Sequence, residues 1–316
     1  MIASITVVGD LNMDLVIRSP RIPRPGETIL AGDLLTVPGG KGANQAVAAA
    51  RLGAHVSMVG RIGRDTFAGP LLDNLAADGI DHTHVTQDAE SATGVALIVV
   101  DDQGENSIVV ASGANMRLSP ADVEAAAPVV AAANLLVLQL SVPLETVIRS
   151  AKVARAHGAK VILNPAPAQP MPAELLSLVD ILVPNETEAA ILTGLPVGSQ
   201  SEAVQAAEAL LRSGVGTVIL TLGERGCLVM AKGQMEIIPA FEVEPVDTTA
   251  AGDAFVAGLS IALAEGQGLP EAARWGNAAG ALATTRLGAQ ISLPTRGAVE
   301  RLLSSGSAKP PQAAGP

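Results

Sequence analysis

The stretch Val246-Asp247-Thr248-Thr249-Ala250-Ala251-Gly252-Asp253-Ala254-Phe255 leads a run of small residues directly into an apolar, helix-forming segment. Ala250, Ala251 and Gly252 put no bulky side chain over the first helical turn, so backbone N–H groups and the positive end of the helix dipole can approach an anion. Asp253 at the same turn has two interpretations. It is an ordinary acid at a helix N-terminus, worth about 0.3–1 kcal/mol, or a general base for a hydroxyl that attacks a phosphoryl group.

Composition limits the classes of function. The chain has 316 residues, 48% of them hydrophobic, which is enough for one large α/β domain. The formal net charge is −11 with no basic run, so we expect neither a nucleic-acid partner nor an anionic membrane surface. The single cysteine, Cys227, is predicted to lie in the core. No basic or long apolar leader precedes Ile5, so we expect no signal peptide, no membrane span and a cytoplasmic location.

The order of the apolar runs predicts the fold class. Residues 5–8 form a short apolar run closed by Gly9-Asp10, which is typical of a buried parallel strand that ends at a functional edge. From about residue 134 onward, apolar runs alternate with turns and helical stretches; the runs are Leu135–Leu140, Val161–Leu163, Ile181–Val183 and Val218–Leu220. This pattern predicts an α/β fold with a mostly parallel central sheet and helices on both faces.

Two segments interrupt this pattern, at about 12–38 and 93–112. They have strand-and-turn character without a helix, and the second contains the hairpin signal Asp101-Asp102-Gln103-Gly104-Glu105. We expect them to form a small β-sheet that covers the main body as a lid. The main domain is predicted to span residues 1–303, and the Ser-, Ala-, Gly- and Pro-rich segment 304–316 to be a disordered tail.

Polar residues are concentrated where the predicted strands end, which is where ligands bind in open α/β sheets. Gly39–Gln45 opens an Ala-rich helix, and within it Lys41 and Asn44 supply hydrogen-bond donors, but the segment matches neither the P-loop nor the dinucleotide glycine pattern. The pair Asn185-x-x-Glu188 is either a helix capping box or a means of orienting hydrated Mg²⁺, and the two roles are compatible.

These motifs together resemble the PfkB family of carbohydrate kinases, which includes the ribokinases, from about Ile5 to Leu302. The segments that carry the resemblance, in the order and spacing of the family, are Gly9–Asp14, Gly39–Gln45, Thr93–Leu97, Gly113–Asn115, Asn164–Ala168, Pro184–Glu188 and Asp247–Asp253. One such segment is a weak signal, but chance alignment of so many is hard to credit. The resemblance implies a ribokinase-like fold and phosphoryl transfer from ATP to the primary hydroxyl of a sugar, with D-ribose as the expected acceptor.

The family's functional residues map onto this chain position by position. Asp253 matches the catalytic base, with an ordinary carboxyl pKa expected, and Ala250, Ala251 and Gly252 match the anion hole. The sugar-binding positions are Asn12, Asp14, Gly40, Lys41, Asn44, Ser141 and Asp253. The ATP-binding positions are Asn185, Thr221, Gly223, Gly226, Gly252 and Asn277. Glu188 matches the Mg²⁺ position, acting through water, and an activating K⁺ site is implied at Asp247, Thr249, Ala283, Arg286, Gly288 and Ser292.

One departure from the family pattern affects the acceptor. Ribokinases usually carry a sugar-contacting Glu where this chain has Ser141, and a hydrogen bond to a charged group is worth about 1.5–3 kcal/mol. A kinase for another pentose, for 2-deoxyribose or for a ribonucleoside therefore stays open, and a non-catalytic sugar-binding protein is the alternative from another class. The resemblance also implies a homodimer formed through the lid. The pair His82-x-His84 is expected in a surface loop without a metal.

Overall fold

The computed structural model describes residues 3–103 and 105–306, so Gly104 of the predicted hairpin and residues 307–316 of the predicted tail lie outside the described residues. The strands are β1 Ser4–Val8, β2 Asn12–Arg18, β3 Leu34–Gly39, β4 His55–Gly63, β5 Asp81–Asp88, β6 Gly94–Val100, β7 Asn106–Ala111, β8 Leu135–Leu138, β9 Lys160–Leu163, β10 Ile181–Leu182, β11 Thr217–Thr221, β12 Cys227–Ala231 and β13 Gln234–Ile238. The helices are α1 Lys41–Arg51, α2 Ala68–Ala77, α3 Pro120–Ala125, α4 Ala127–Ala132, α5 Leu144–Ala156, α6 Ala173–Leu176, α7 Glu186–Thr193, α8 Gln200–Arg212, α9 Ala251–Ala264, α10 Leu269–Thr284, α11 Ala289–Ser292 and α12 Arg296–Ser305. Short 3-10 helices lie at Gly113–Arg117 and Gly223–Arg225.

The central sheet has the strand order β13-β12-β11-β10-β9-β8-β1-β4-β5. In this sheet, all neighbouring strands between the edge strand β5 and β11 pair in parallel. Only β12 and β13 extend the described sheet as antiparallel strands. The predicted mostly parallel sheet is confirmed. One detail of that prediction was wrong: the run Val218–Leu220 leads through a turn into antiparallel β12 instead of into a helix.

Alternation along the buried strands creates one core on each face of the sheet. Ile5 and Val7 of β1 pack into the core that contains residues of α1, α9 and α10, whereas Val8 packs into the core that contains residues of α5 and α8. Successive side chains of a strand point to opposite faces, so a strand covered by helices on both sides becomes apolar throughout. Trp275 and Cys227 are buried in the first core, as expected from the sequence.

The second sheet has four strands in the order β3-β2-β6-β7, which confirms the small separate sheet. Its strands fall in the two predicted segments, but residues 28–31 form no strand. The sequence patterns had not indicated β4 and β5. His82 and His84 lie in β5 instead of in a loop, because this strand pairs in parallel with β4.

Helix α9 carries the small-residue stretch at its start and packs closely on α10. A Cβ added at Gly258 would lie 2.7 Å from the Trp275 carbonyl oxygen, so only glycine permits this approach of the two backbones. Helix α12 continues to Ser305, two residues into the predicted tail, with Gly306 as its left-handed C-cap. Within residues 3–103 and 105–306, no helix is long and apolar enough to cross a membrane.

Candidate active site

Asp253 lies in the first turn of α9 and is 5% exposed. Each of its carboxylate oxygens accepts one amide hydrogen bond from α1. The Nδ2 atom of Asn44 donates to Oδ2 at 2.9 Å, and the Nε2 atom of Gln45 donates to Oδ1 at 2.9 Å. The carboxylate is therefore fixed at the junction of two helices that are separated by about two-thirds of the chain.

The backbone before Asp253 forms a candidate anion site at the start of α9. Ala250 has a left-handed backbone, with φ 60° and ψ 9°, a conformation that costs a non-glycine residue about 1–2 kcal/mol. Left-handed and helical residues in succession point their N–H groups into one concavity. The N–H groups of Gly252 and Asp253 have no acceptor among the described residues, whereas the Ala251 N–H donates to the Thr248 carbonyl at 3.2 Å. Of the three residues predicted for the anion hole, Ala251 therefore contributes its small side chain but not a free backbone N–H.

The charge of Asp253 is strongly affected by its surroundings. Burial raises the pKa of the carboxyl above its ordinary value, while Lys41 and the two amide donors act in the opposite direction. The expectation of an ordinary pKa was therefore wrong, since sequence alone cannot show desolvation. The Asp253 carboxylate in turn raises the pKa of Lys41, with smaller contributions from Glu188 and Asp10. Lys41 is thus held in its charged form beside the anion site.

A cavity of about 180 Å³ lies in front of the start of α9. Its lining brings together residues predicted for the base, the anion hole, the nucleotide and Mg²⁺: Lys41, Asn185, Glu188, Thr221, Ala250, Gly252 and Asp253, together with Asn164, Val183, Thr248 and Val256. The N-termini of α1, α7 and α9 all contribute to it. Helix N-termini offer free N–H donors to anions, and Lys41 adds a positive charge beside the carboxylates of Glu188 and Asp253.

Asn185 and Glu188 form the predicted capping box at the start of α7. The Asn185 Oδ1 atom accepts from the Glu188 N–H at 2.8 Å, and the Glu188 Oε2 atom accepts from the Asn185 N–H at 2.9 Å. Burial raises the pKa of Glu188, and the Asn185 N–H and Lys41 oppose that effect. The box fixes the Glu188 carboxylate at the wall of the cavity, so capping leaves this residue in position for the predicted role.

Asp10, which follows β1, connects the predicted sugar-binding residues. Its Oδ1 atom accepts from the Gly42 N–H at 2.9 Å and from the Ser141 hydroxyl at 2.7 Å, and its Oδ2 atom accepts from Asn12 Nδ2 at 3.0 Å. Asn12 also accepts from Asn115 Nδ2 at 2.8 Å. Ser141 therefore uses its hydroxyl hydrogen on Asp10. Asn12, Gly42 and Ser141 are drawn to one carboxylate from three segments of the chain.

Asp14, in β2, is 8% exposed and accepts no hydrogen bond from the described residues. Desolvation, followed by the charges of Asp10 and Asp253, raises its pKa to about 7. A Cβ at Gly39 would lie 2.2 Å from Asp14 Oδ2, so a larger residue there would displace the Asp14 carboxylate. Gly40 caps α1 with φ 94°, and a Cβ at this position would lie 2.8 Å from the Asn12 nitrogen. Both glycines bring the backbone against residues that are predicted to bind the sugar, Asp14 and Asn12.

The remaining predicted nucleotide positions lie farther along the sheet edge. Thr221 pairs with Asn185 in an isolated bridge, while Gly223 is in the short helix after β11 with φ 55°. Asn277 donates from Nδ2 to the carbonyls of Ile238 and Pro239, both at 3.0 Å. Gly226 abuts the same segment, since a Cβ there would lie 2.1 Å from the Ile238 oxygen. The structure thus places Gly226 and Asn277 against one segment, although neither lines the cavity.

The predicted K⁺ positions are brought together in part. Asp247 accepts from the Thr249 N–H and hydroxyl through Oδ1, and from the Gly288 N–H through Oδ2 at 2.8 Å. Ala283 is buried in α10, and Ser292 is buried in α11 with its hydroxyl donating to the Ala289 carbonyl. Arg286 lies in the turn between those helices and, within the described chain, forms no hydrogen bond or ion pair with the other five. Within the described chain, no group of three His, Cys, Asp or Glu residues is arranged to hold a metal ion.

Sequence reasoning did not assign roles to several residues that organise the site. Asp10, Gln45, Asn115 and Asn164 fell within quoted motifs but were not proposed as site residues. Asp10 lies two residues after β1 and Asn164 directly follows β9, a signal that could have identified them. Gln45 offered no such signal, because its partners come from distant segments.

A hydroxyl-directed phosphotransferase is the class of protein that this fold and site define, because a buried carboxylate adjoins a helix N-terminal anion site and a lysine. Comparison with known proteins agrees: the pfkB family carbohydrate kinase profile matches residues 2–296. The chain belongs to the pfkB family of carbohydrate kinases.

Individual relatives narrow the comparison. A ribokinase from Haemophilus influenzae is 47% identical over 293 residues, covering 93% of this chain and 96% of that protein. A deoxyribokinase from Salmonella typhi is 43% identical over 253 residues, covering 80% of this chain and 83% of that protein. The structure of an Arabidopsis thaliana ribokinase complexed with ribose and ATP superimposes with a TM-score of 0.87 at 35% identity, covering 96% of this chain and 99% of that chain.

Proposed function

We propose that the protein transfers the γ-phosphoryl group of ATP to the primary 5-hydroxyl of D-ribose. The observation that carries the proposal is the placement of Asp253, whose two oxygens are fixed by Asn44 and Gln45 beside free N–H groups at the start of α9. The relatives support ribose as acceptor and ATP as donor, since ribokinases of 40–47% identity span nearly the whole chain.

In the proposed reaction, Asp253 accepts the proton of the sugar hydroxyl as its oxygen bonds to phosphorus and the bond from phosphorus to the bridging oxygen of ADP breaks. Positioned base catalysis contributes roughly 10²–10⁴-fold. The Gly252 and Asp253 N–H groups and Lys41 stabilise negative charge on the transferring group. Asp14, Asn12, Gly40, Asn44 and Ser141 surround the sugar side.

Mg²⁺ is proposed to accompany ATP. The described chain offers no cluster of three acidic or histidine ligands, while Glu188 and Asn185 present oxygens at the cavity wall, and this fits a Mg²⁺ ion that keeps most of its water. The ion would neutralise phosphate charge when bound. Activation by K⁺ at Asp247, Thr249, Gly288 and their neighbours is proposed as well, on the support of the contacts that join those three residues.

The small sheet is proposed to act as a lid and as the contact between two copies. It exposes large apolar side chains, among them Leu34, Leu97 and Val109 at 54%, 51% and 64% exposure. Apolar patches of this kind mark interaction surfaces. Sedimentation velocity of the wild type and of Leu97→Glu tests the dimer: an unchanged monomer in both would contradict it. The cytoplasmic location stays a prediction.

2-Deoxyribose is the second candidate acceptor. Ser141 is committed to Asp10 and supplies no carboxylate for a vicinal hydroxyl, and a deoxyribokinase is among the relatives. The test is ADP release from Mg-ATP with ribose, 2-deoxyribose, arabinose, fructose and ribonucleosides, each with and without K⁺. A preference for ribose supports the proposal. A preference for 2-deoxyribose would make that sugar the acceptor and assign the choice of acceptor to the region of Ser141. Absence of turnover on every acceptor would overturn the proposed function.

A further inference from the structure

Of the two amide side chains that donate to Asp253, only Gln45 has both polar atoms of its amide engaged with protein. Its Nε2 atom donates to Asp253 Oδ1 at 2.9 Å and lies 3.2 Å from Asn164 Oδ1, and its Oε1 atom accepts from Gln139 Nε2 at 2.5 Å. Asn44 differs, since its Oδ1 atom is buried without a partner among the described residues. Asn44 therefore retains an acceptor for a ligand, and Gln45 does not.

The chain of amides continues behind Gln45 into the interior. Gln139, at the end of β8, is fully buried, and Gln45 is 1% exposed. The Oε1 atom of Gln139 has no partner, and a Cβ on Gly9 would lie 2.0 Å from it, so Gln139 is pressed against the backbone after β1. Leaving a buried amide oxygen unsatisfied is costly, and such groups in native structures call for an explanation.

We propose that Gln45 and Gln139 are positioning residues for Asp253, with Gln139 acting through Gln45. Gln139 fixes the amide of Gln45 so that its N–H, and not its oxygen, faces the Asp253 carboxylate. With the two oxygens of Asp253 held by Asn44 and Gln45, the carboxylate keeps one orientation toward the hydroxyl. This inference rests on the proposed kinase function, and it assigns roles to two residues that contact no substrate.

The arrangement also controls the proton affinity of the base. Hydrogen bonds to an ionised carboxylate favour its charged form, so loss of the Gln45 donor shifts the titration of Asp253 to higher pH. The charged groups that act on Asp253 are Lys41 on α1, Asp10 after β1, Asp14 on β2 and Glu188 on α7. None of them is altered by substitution at Gln45 or Gln139.

The test compares Gln45→Met, Gln139→Met and the double variant at saturating sugar and ATP as a function of pH. We expect kcat of Gln45→Met to fall about 10–10²-fold, the cost of a misplaced catalytic group, with the acidic limb moved to higher pH. The kcat of Gln139→Met should fall less, and the acidic limb of its pH profile should move less in the same direction. The double variant should match Gln45→Met, because a residue that acts through another adds nothing once its intermediary is gone. The KM for the sugar should change much less than kcat.

Thr146→Val is the matched control, since it also removes a fully buried side-chain hydrogen bond, to the Leu118 carbonyl, but far from Asp253. It should lose stability without any change of the pH profile. If Gln45→Met does not fold, the kcat and pH profile of Gln139→Met alone test the inference. An unchanged kcat and acidic limb in the folded variants, or strictly additive effects of the two substitutions, would overturn the inference, whereas absence of wild-type turnover in the same assay would instead refute the kinase proposal.

Discussion

Replacement of Asp14 by asparagine should stabilise the ligand-free protein while weakening its binding of the sugar. The pKa of Asp14 rises from 3.8 to about 7 on folding, mainly by desolvation and then by the charges of Asp10 and Asp253. An acid with a raised folded-state pKa keeps its proton in the folded chain and loses it in the unfolded one between those two values. Stability is therefore lost as the pH rises from about 4 to 7.

The size of this effect follows from the shift of about three pH units. Each unit corresponds to about 1.36 kcal/mol, so ionised Asp14 costs up to about 4 kcal/mol of unfolding free energy above pH 7. Asparagine resembles the protonated acid in size, and it carries no charge at any pH. The stability advantage of Asp14→Asn should thus grow by about 2–3 kcal/mol between pH 5 and pH 8.

The assay is urea unfolding of the ligand-free wild type and variant at pH 5, 6, 7 and 8. Comparing the difference between variant and wild type across pH cancels any effect of asparagine that does not depend on ionisation. Asp73→Asn, which removes an exposed carboxylate on α2, is the control for the change in net charge. A stability difference that stays constant from pH 5 to pH 8 would refute the reasoning.

The same carboxylate is proposed to bind the sugar, which gives a second readout. A hydrogen bond to a charged group is worth about 1.5–3 kcal/mol, so Asp14→Asn should raise the KM for the sugar by about 10–150-fold. For the wild type, that KM should fall as the pH rises through about 7, where Asp14 ionises. A KM that is independent of pH across this range would show that ionised Asp14 is not the form that binds sugar.

Three further substitutions test the phosphate side of the site. Asp253→Asn should lower kcat by roughly 10²–10⁴-fold or more, because it removes the positioned base. The substitution also places an amide donor against the amide donor of Asn44 or of Gln45. Turnover near the wild-type rate would remove Asp253 from the mechanism. Lys41→Met should lower kcat and move its acidic limb to higher pH, because Lys41 opposes the raised pKa of Asp253, and an unmoved limb would contradict that coupling. Asn185→Ala should lower the unfolding free energy by about 1 kcal/mol, because it removes the helix cap. It should also raise the Mg²⁺ concentration needed for half-maximal rate, since the capping box orients Glu188. An unchanged Mg²⁺ requirement would contradict the proposed role of Glu188.

Local patterns accounted for the parts of the fold that depend on neighbours along the chain. Buried strands and the helices that follow them produce recognisable periodicity, and the capping box at Asn185 and Glu188 requires only a spacing of three residues. Strands β4 and β5 were both missed; β5 reads Asp-His-Thr-His-Val-Thr-Gln-Asp, with few apolar residues to mark it. Its strand conformation depends on pairing with β4.

By itself, the sequence determined a mostly parallel α/β fold with a small accessory sheet and membership of a kinase family through several short motifs, and it predicted an anion site at the start of α9. Only the tertiary structure decided what those motifs do to one another. Asn44 and Gln45 meet Asp253 across 209 and 208 residues, and Ser141 meets Asp10 across 131. The raised pKa values of Asp14 and Asp253 follow from burial, which arises when distant segments exclude water from a carboxylate.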